Sequence, residues 1–332
     1  MHDESRKTIS VMIPCYNEEE NVRPIYEAVR EQLTQNCPGY AYEILFIDNK
    51  SRDRTRERIE DICRADRRVK AIFNSKNFGQ FNSPYHAMLQ TCGDCTITMC
   101  ADFQDPPELI PRFVSEWEKG YKIVIGRKTR SRENPLLYFL RGCYYRLLRR
   151  MSDVEIIEQF TGFGLYDRSF LDTLRTLHDP TPFMRGIVAE LGPERAEIEY
   201  TQPRRRAGKT HNSFYTLYDA AMLSFTSYTK AGMRIAAFTG FIIALLSFLI
   251  GVAFLVAKLA AWDRFSAGYA PTVISVFFMG GVQLTFLGFL GEYVMSMNTR
   301  IMDRPLVIEE RRINFEPEKP EATTEQETEK EA

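Results

Sequence analysis

The sequence predicts an α/β chain built on a doubly wound, mainly parallel sheet, followed by amphipathic interface helices and two C-terminal transmembrane helices. Three observations carry this. Short apolar, β-prone runs alternate with segments of helical spacing through the first 126 residues, the pattern of a parallel sheet with crossover helices on both faces. Each run stops in polar residues, so the polar ends share one edge of one sheet, where open α/β sheets bind ligands. Near the C-terminus lie two apolar stretches long enough to cross a bilayer, which takes ~20 residues.

The elements follow in order. Thr8–Pro14 is a first strand, Cys15–Asn21 a polar turn, and Val22–Leu33 a helix with apolar residues at helical spacing. Glu43–Asp48 is a second strand, and Ser51–Thr55 opens a highly charged helix. Val69–Phe73 is a third strand, followed by a polar turn at Asn74–Gln80 and a helix to about Gln90. Thr96–Ala101 is the central strand, then a helix runs through Trp117, and Lys122–Gly126 is a fifth strand. Gln159–Asp167 is strand-like with internal glycines, which mark either a bulge or the close approach of a ligand or another backbone.

The central strand ends in Asp102, Gln104 and Asp105 before two prolines, which cannot extend a ladder. Hard oxygen ligands at such an edge suit Mg²⁺ or Mn²⁺ shared with substrate phosphates. Pro14–Glu18, Asp48-Asn49, Asn77 and the residues from Arg127 onward gather at the same edge. Arg127–Arg132 is either a solvated basic loop or a phosphate clamp, since Arg binds phosphate oxygens in pairs. Cys92-Gly-Asp-Cys95 has redox spacing but lies between a helix end and a strand start, so it reads as packing.

Composition excludes several classes. The formal charge of −1 gives no global basic field, so no nucleic-acid partner is expected. G-x-G-x-x-G after the first strand, the P-loop motif and G-x-S-x-G are all absent, against dinucleotide dehydrogenases, P-loop NTPases and α/β-hydrolases. The seven cysteines are odd in number and the N-terminal residues are polar, so free thiols in a reducing compartment are expected.

Residues 1–212 therefore form one α/β domain, with its ligand edge as described. Residues 136–151 combine apolar, aromatic and basic side chains and suit a helix at a membrane surface, as do the amphipathic helices over 213–234. The spans are Ile235–Ala257 and Ala270–Met297, within 235–298, and the tail is 299–332, disordered from about 316 by its Glu, Pro and Thr content. Lys and Arg crowd the outer flanks of both spans, while the link holds only Lys258 and Arg264. The positive-inside rule then puts the α/β domain and both termini in the cytoplasm, at the inner (plasma) membrane.

Taken together, Pro14–Asn21, Ile47–Thr55, Asn77-Phe-Gly79, Ala101–Glu108, Arg204–Thr210, Gly291-Glu-Tyr293 and Asp303-Arg-Pro305 resemble a family. They are similar, in order from about residue 8 to 308, to family 2 (GT-A fold) polyprenyl-phosphate glycosyltransferases, the group of bactoprenol glucosyltransferases and dolichyl-phosphate mannose synthases. The resemblance implies a metal-dependent inverting hexosyltransferase. It would carry a hexose from a nucleotide sugar, a UDP-sugar by preference, to polyprenyl (undecaprenyl) phosphate, and would assemble as a homotetramer. It implies that Pro14, Tyr16, Asn17, Glu18, Asp48, Asn77, Asp102, Arg130 and Arg132 bind the nucleotide sugar. Asp102, with Gln104, would hold Mg²⁺ or Mn²⁺ as the surviving acid of the D-x-D motif. Asp102, Arg127, Arg206 and Lys209 would be catalytic, the basic groups facing phosphates.

An acceptor phosphate monoester is already anionic at pH 7, its second pKa being ~6, so it needs orientation and charge neutralisation rather than a base. In-line attack by that oxygen would invert the anomeric centre. The Q-x-x-R-W motif of processive polysaccharide synthases is absent. The departures from the pattern are Cys100 at the first acid of D-x-D, Asn49 beside Asp48, and Gln159 where relatives carry an acid. They leave a catalytically silent membrane scaffold or lipid-handling relative as the rival reading.

Overall fold

A computed structural model describes residues 6–130, residues 157–206 apart from 158, 178, 193 and 204, and residues 269–315 apart from 303, with isolated positions between 222 and 260. The strands are β1 (Thr8–Cys15), β2 (Ala41–Asp48), β3 (Val69–Asn74), β4 (Cys95–Thr98), β5 (Ile123–Arg130), β6 (Phe160–Asp167), β7 (Ala196–Thr201) and β8 (Glu309–Ile313). They form one sheet in the order β7-β5-β6-β4-β1-β2-β3-β8. β1, β2, β3 and β4 run parallel, β6 is antiparallel to β4 and β5, β7 is parallel to β5, and β8 is antiparallel to β3. The sheet is thus mainly parallel, as the alternation of elements predicts.

The strands are apolar on both faces because helices cover both. Ile44 and Phe46 of β2 enter one core with α1 (Val22–Glu31), α2 (Thr55–Ala65) and α4 (Ile110–Glu118). Leu45 and Ile47, pointing the other way, enter a second core with α3 (Gly79–Leu89), α5 (Arg168–Arg175) and α6 (Met184–Leu191). Helix α1 places Val22, Ile25, Tyr26 and Val29 on its buried face at the spacing expected of a half-buried helix.

Two sequence expectations are refined. The central strand is shorter than Thr96–Ala101, ending at Thr98. The Met99 N–H still reaches the Met12 carbonyl at 3.1 Å. The next N–H, of Cys100, turns to the Asp105 carboxylate at 2.9 Å and leaves the ladder. The glycines of β6 mark a close backbone approach: a Cβ on Gly164 would sit 2.5 Å from the Val124 carbonyl oxygen. Gly162 adds a left-handed φ of +103°.

The segments from residue 168 onward hold elements the sequence did not announce: α5, α6, β7 and, inside the expected tail, β8. The second expected span falls on α7 (Tyr269–Ile301), a 33-residue helix. Its Val276, Phe278, Leu284 and Leu287 are at least 60% exposed. Counting only described residues, no helix is long and apolar enough to cross a membrane. The first expected span lies mostly outside the described residues, as do the helices over 136–151 and 213–234 and the tail from 316.

Candidate active site

The site stands at the carboxyl edge of β1, β2, β4 and β5. Left-handed backbone at non-glycine residues concentrates there: Asn17 (φ 56°), Lys50 (64°) and Phe103 (62°) follow β1, β2 and β4, and Gln159 (61°) precedes β6. Such conformations are uncommon, more so for a bulky residue such as Phe, and they persist only where the surroundings over-determine them.

The turns after β1 and β2 are locked together. The Asn17 N–H donates to Ser51 Oγ at 2.9 Å, Glu18 N–H to Thr55 Oγ1 at 2.8 Å and Arg52 N–H to Asn17 Oδ1 at 2.8 Å. Glu18 also accepts from Asn21 Nδ2 at 2.6 Å. Asn17 and Glu18 therefore shape the floor of the edge, while Pro14 and Tyr16 are part-exposed beside it. Asp48 is wholly buried. It accepts the Ser51 N–H at 3.2 Å and lies 3.0 Å from Arg56 Nε. Burial raises its pKa in spite of those two partners.

Asn49 explains one departure from the family pattern. Its Oδ1 accepts from Phe78 N–H (2.9 Å) and Asn74 Nδ2 (3.1 Å), and its Nδ2 donates to Asn77 Oδ1 (2.9 Å) and Gly79 O (3.0 Å). The Phe78 N–H can only donate, which fixes the amide orientation. A carboxylate could make the first two bonds but not the last two. Asn77 is accordingly held in this network, its Oδ1 also accepting from Gly79 N–H at 2.8 Å. Asn49→Asp should lower stability by roughly 1–2 kcal/mol, the cost of facing two carbonyl oxygens with no donor, read as a drop in unfolding temperature of the full chain.

The acidic turn after β4 has two carboxylates with different duties. Asp105 is buried, accepting Cys100 N–H and, at 3.1 Å, the Tyr200 hydroxyl, so it builds the turn. Burial pushes its pKa up, as burial and then the Asp105 charge push up that of Tyr200. Asp102 takes the Gln104 N–H on Oδ1 at 3.1 Å and presents Oδ2 to Arg205 Nη2 at 2.9 Å. Its backbone carbonyl accepts the Arg206 N–H at 3.3 Å, and the Arg206 guanidinium lies 5.1 Å from the Phe103 ring centre. The basic loop after β7 thus lies over the acidic turn.

Arginine choice is where the sequence expectation shifts. Arg206 was expected to face phosphate, yet Arg205 is the one paired with Asp102. Arg127 is held by Glu197 (3.4 Å) and by Glu199 of β7. Lys128, on the opposite face of β5, shares the face of Tyr200, whose hydroxyl bonds Asp105, and burial lowers its pKa against the pull of the Asp105 carboxylate. Strand alternation is the signal that could have separated Lys128 from Arg127: Lys128 is opposite Tyr200 and Arg127 opposite Glu199. Lys209, Arg132 and the side chain of Arg130 lie outside the described residues.

The donor set can be tested against a divalent cation. Among the described residues no group of three or more His, Cys, Asp or Glu side chains could hold a metal ion. Cys100 puts a thiol, not a hard oxygen ligand, where the motif has its first acid. What remains is one carboxylate, Asp102, with the part-exposed Gln104 beside it. That fits an ion of the Mg²⁺ type, which needs only one or two carboxylates when substrate phosphates and water complete its shell.

The mainly parallel sheet with an Asp-bearing turn at its carboxyl edge, and Arg205 and Arg206 over that turn, is a GT-A-like fold. Residues 10–175 match the family model described as glycosyl transferase family 2. The chain belongs to that family. It is 31% identical over 301 residues to an uncharacterized glycosyltransferase of Synechocystis, covering 90% of this chain and 94% of that protein. It is 30% identical over 298 residues to the bactoprenol glucosyl transferase of Shigella phage SfX, covering 90% of this chain and 97% of that one. Among solved structures it is similar to the mannosyltransferase of Pyrobaculum calidifontis in complex with GDP-Man and Mn²⁺. There the identity is 14% and the TM-score 0.44, over 90% of this chain and 88% of that one.

Proposed function

We propose that this chain transfers a hexose from a UDP-sugar to a polyprenyl phosphate such as undecaprenyl phosphate, with inversion, at the cytoplasmic face of the plasma membrane. The observation that carries the reading is the pairing of Asp102 with Arg205 beneath the basic loop and beside Lys128. It puts one anionic and several cationic groups where a diphosphate and a phosphate monoester must meet. The names of the bactoprenol relatives support the lipid acceptor.

Each group has a part in this reading. Arg205, Arg206 and Lys128 attract and orient phosphate oxygens, giving the acceptor its line of attack. Lys128 contributes through its charge in the protonated form. Tyr200 and Asp105 hold the turn so that Asp102 keeps its aim. Asp102 and Gln104 would hold Mg²⁺ or Mn²⁺, which would neutralise charge on the departing nucleoside diphosphate. The exposed apolar surface of α7 would anchor the chain in the bilayer that carries the acceptor.

The test is a lipid-extraction assay. The full chain is incubated with undecaprenyl phosphate, Mg²⁺ or Mn²⁺ and radiolabelled UDP- or GDP-sugars. Label in the organic phase with one donor, lost with EDTA, supports the reading and names the sugar. No transfer from any donor by folded protein favours the silent, lipid-handling relative.

A further inference from the structure

Asp48, expected to bind the nucleotide sugar, is wholly buried, so the groups a ligand meets there belong to its neighbours. Arg56 lies between Asp48 and solvent. Its Nε is 3.0 Å from Asp48 Oδ2 but off the hydrogen-bond line, so the contact is electrostatic. Its Nη1 and Nη2 reach Glu310 of β8 at 3.3 and 3.0 Å, a bidentate clasp. Glu310 also holds Lys50 Nζ at 2.6 Å, and Lys50 is the left-handed residue two positions after Asp48. Phe73 is flanked by the Arg56 guanidinium at 5.1 Å and that of Arg311 at 4.5 Å.

We propose that Glu310, brought to the sheet by the strand that follows α7, is a positioning residue for the donor's nucleoside: it clasps Lys50 and Arg56 and through them sets the turn that carries Asp48. This rests on the donor reading above. Both cations stay half-buried beside the edge because one carboxylate holds both. Without it, Arg56 keeps the Phe73 ring and an unaligned contact to Asp48, and the Lys50 ammonium loses its carboxylate partner. The Lys50 side chain gives the turn a tether to β8. Glu310 remains ionised far into acid, its carboxyl held at about 2 by Lys50 and then Arg56, so the clasp persists at any working pH.

The experiment measures UDP binding to the full chain in detergent by calorimetry, with Mg²⁺ present, beside the unfolding temperature. Glu310→Gln should weaken UDP roughly 5–20-fold, within the range typical of coupling between groups that do not both touch the ligand. Glu60→Gln is the control: Glu60 pairs with Arg311 and helps dock the same strand, but touches neither Lys50 nor Arg56. It should lower the unfolding temperature and leave UDP affinity at the wild-type value. Unchanged affinity in Glu310→Gln, or an equal loss in both variants, overturns the positioning role. If Glu310→Gln does not fold, Lys50→Met removes the other end of the same contact with β8 intact, and unchanged affinity there overturns it too. Wild-type protein that binds neither UDP nor GDP overturns the donor reading itself, and this inference with it.

Discussion

Asp102→Asn should reduce hexose transfer roughly 10²–10³-fold, the loss found when one pre-aimed electrostatic group is removed from a charge-developing site. The variant isolates charge from shape. Asparagine keeps the size of the side chain, and its Oδ1 can still accept the Gln104 N–H that closes the turn. What disappears is the negative charge that pairs with Arg205 and would share a cation with the diphosphate. The effect should fall on kcat, and because Asp102 is buried and paired with Arg205 a drop in unfolding temperature should accompany it. Full activity in Asp102→Asn, assayed by label in the lipid phase, would sink the assignment and shift attention to Lys128 and the basic loop.

Asp167→Ala should cost about 2–4 kcal/mol of stability, from a lost helix cap and an orphaned buried donor. Asp167 caps α5, accepting the Ser169 N–H at 3.0 Å and the Ser169 hydroxyl. It also takes Trp117 Nε1 at 2.8 Å and Lys122 Nζ at 3.0 Å, tying β6 to α4 and to the start of β5. Burial alone would raise its pKa, but the bonds from Ser169, Trp117 and Lys122 outweigh it and bring the group down to about 2. A carboxyl lowered in the folded state stabilises above its unfolded pKa of ~3.9, and that stability is lost as pH falls through the folded value. The wild type should therefore lose roughly 2 kcal/mol between about pH 4 and 2 from this group, less the part of the Lys122 contact that solvent screens. Asp167→Ala should show a flatter acid limb in denaturant titrations; an identical limb would remove Asp167 from the account.

The first four strands and their helices were legible because the strands are short, β-prone runs rich in buried apolar residues and helical spacing separates them. β8 was not. Its sequence, Glu309-Glu-Arg-Arg-Ile313, has no apolar alternation and reads as solvated tail. It is a strand because β3 offers a free edge and because charges wait for it there: Glu60 for Arg311, Lys50 and Arg56 for Glu310, and His86 for Glu309. Partners over two hundred residues away are invisible to local pattern. The acidic turn was legible for the opposite reason, since its chemistry is local: a strand, two acids and two prolines. The basic side of the site was only half legible. A run of three arginines at 204–206 does not say that Arg205 pairs with Asp102 while Arg206 lies on Phe103, because that depends on how the loop leaves β7.

The placement of β8 also sets a timetable. The sheet's outer strand comes from residues that leave the ribosome only after α7 is complete, so β3 waits with an open edge while the intervening chain is made. At 5–20 residues per second that wait is roughly 10–50 s, long against the closing of a hairpin. An unpaired edge is an invitation to other strands. The nascent chain therefore carries a period of vulnerability between the emergence of Asn74 and that of Ile313, and it ends only when the long helix has been delivered and the strand behind it can turn back to the sheet. Truncation before Glu309 would make that period permanent.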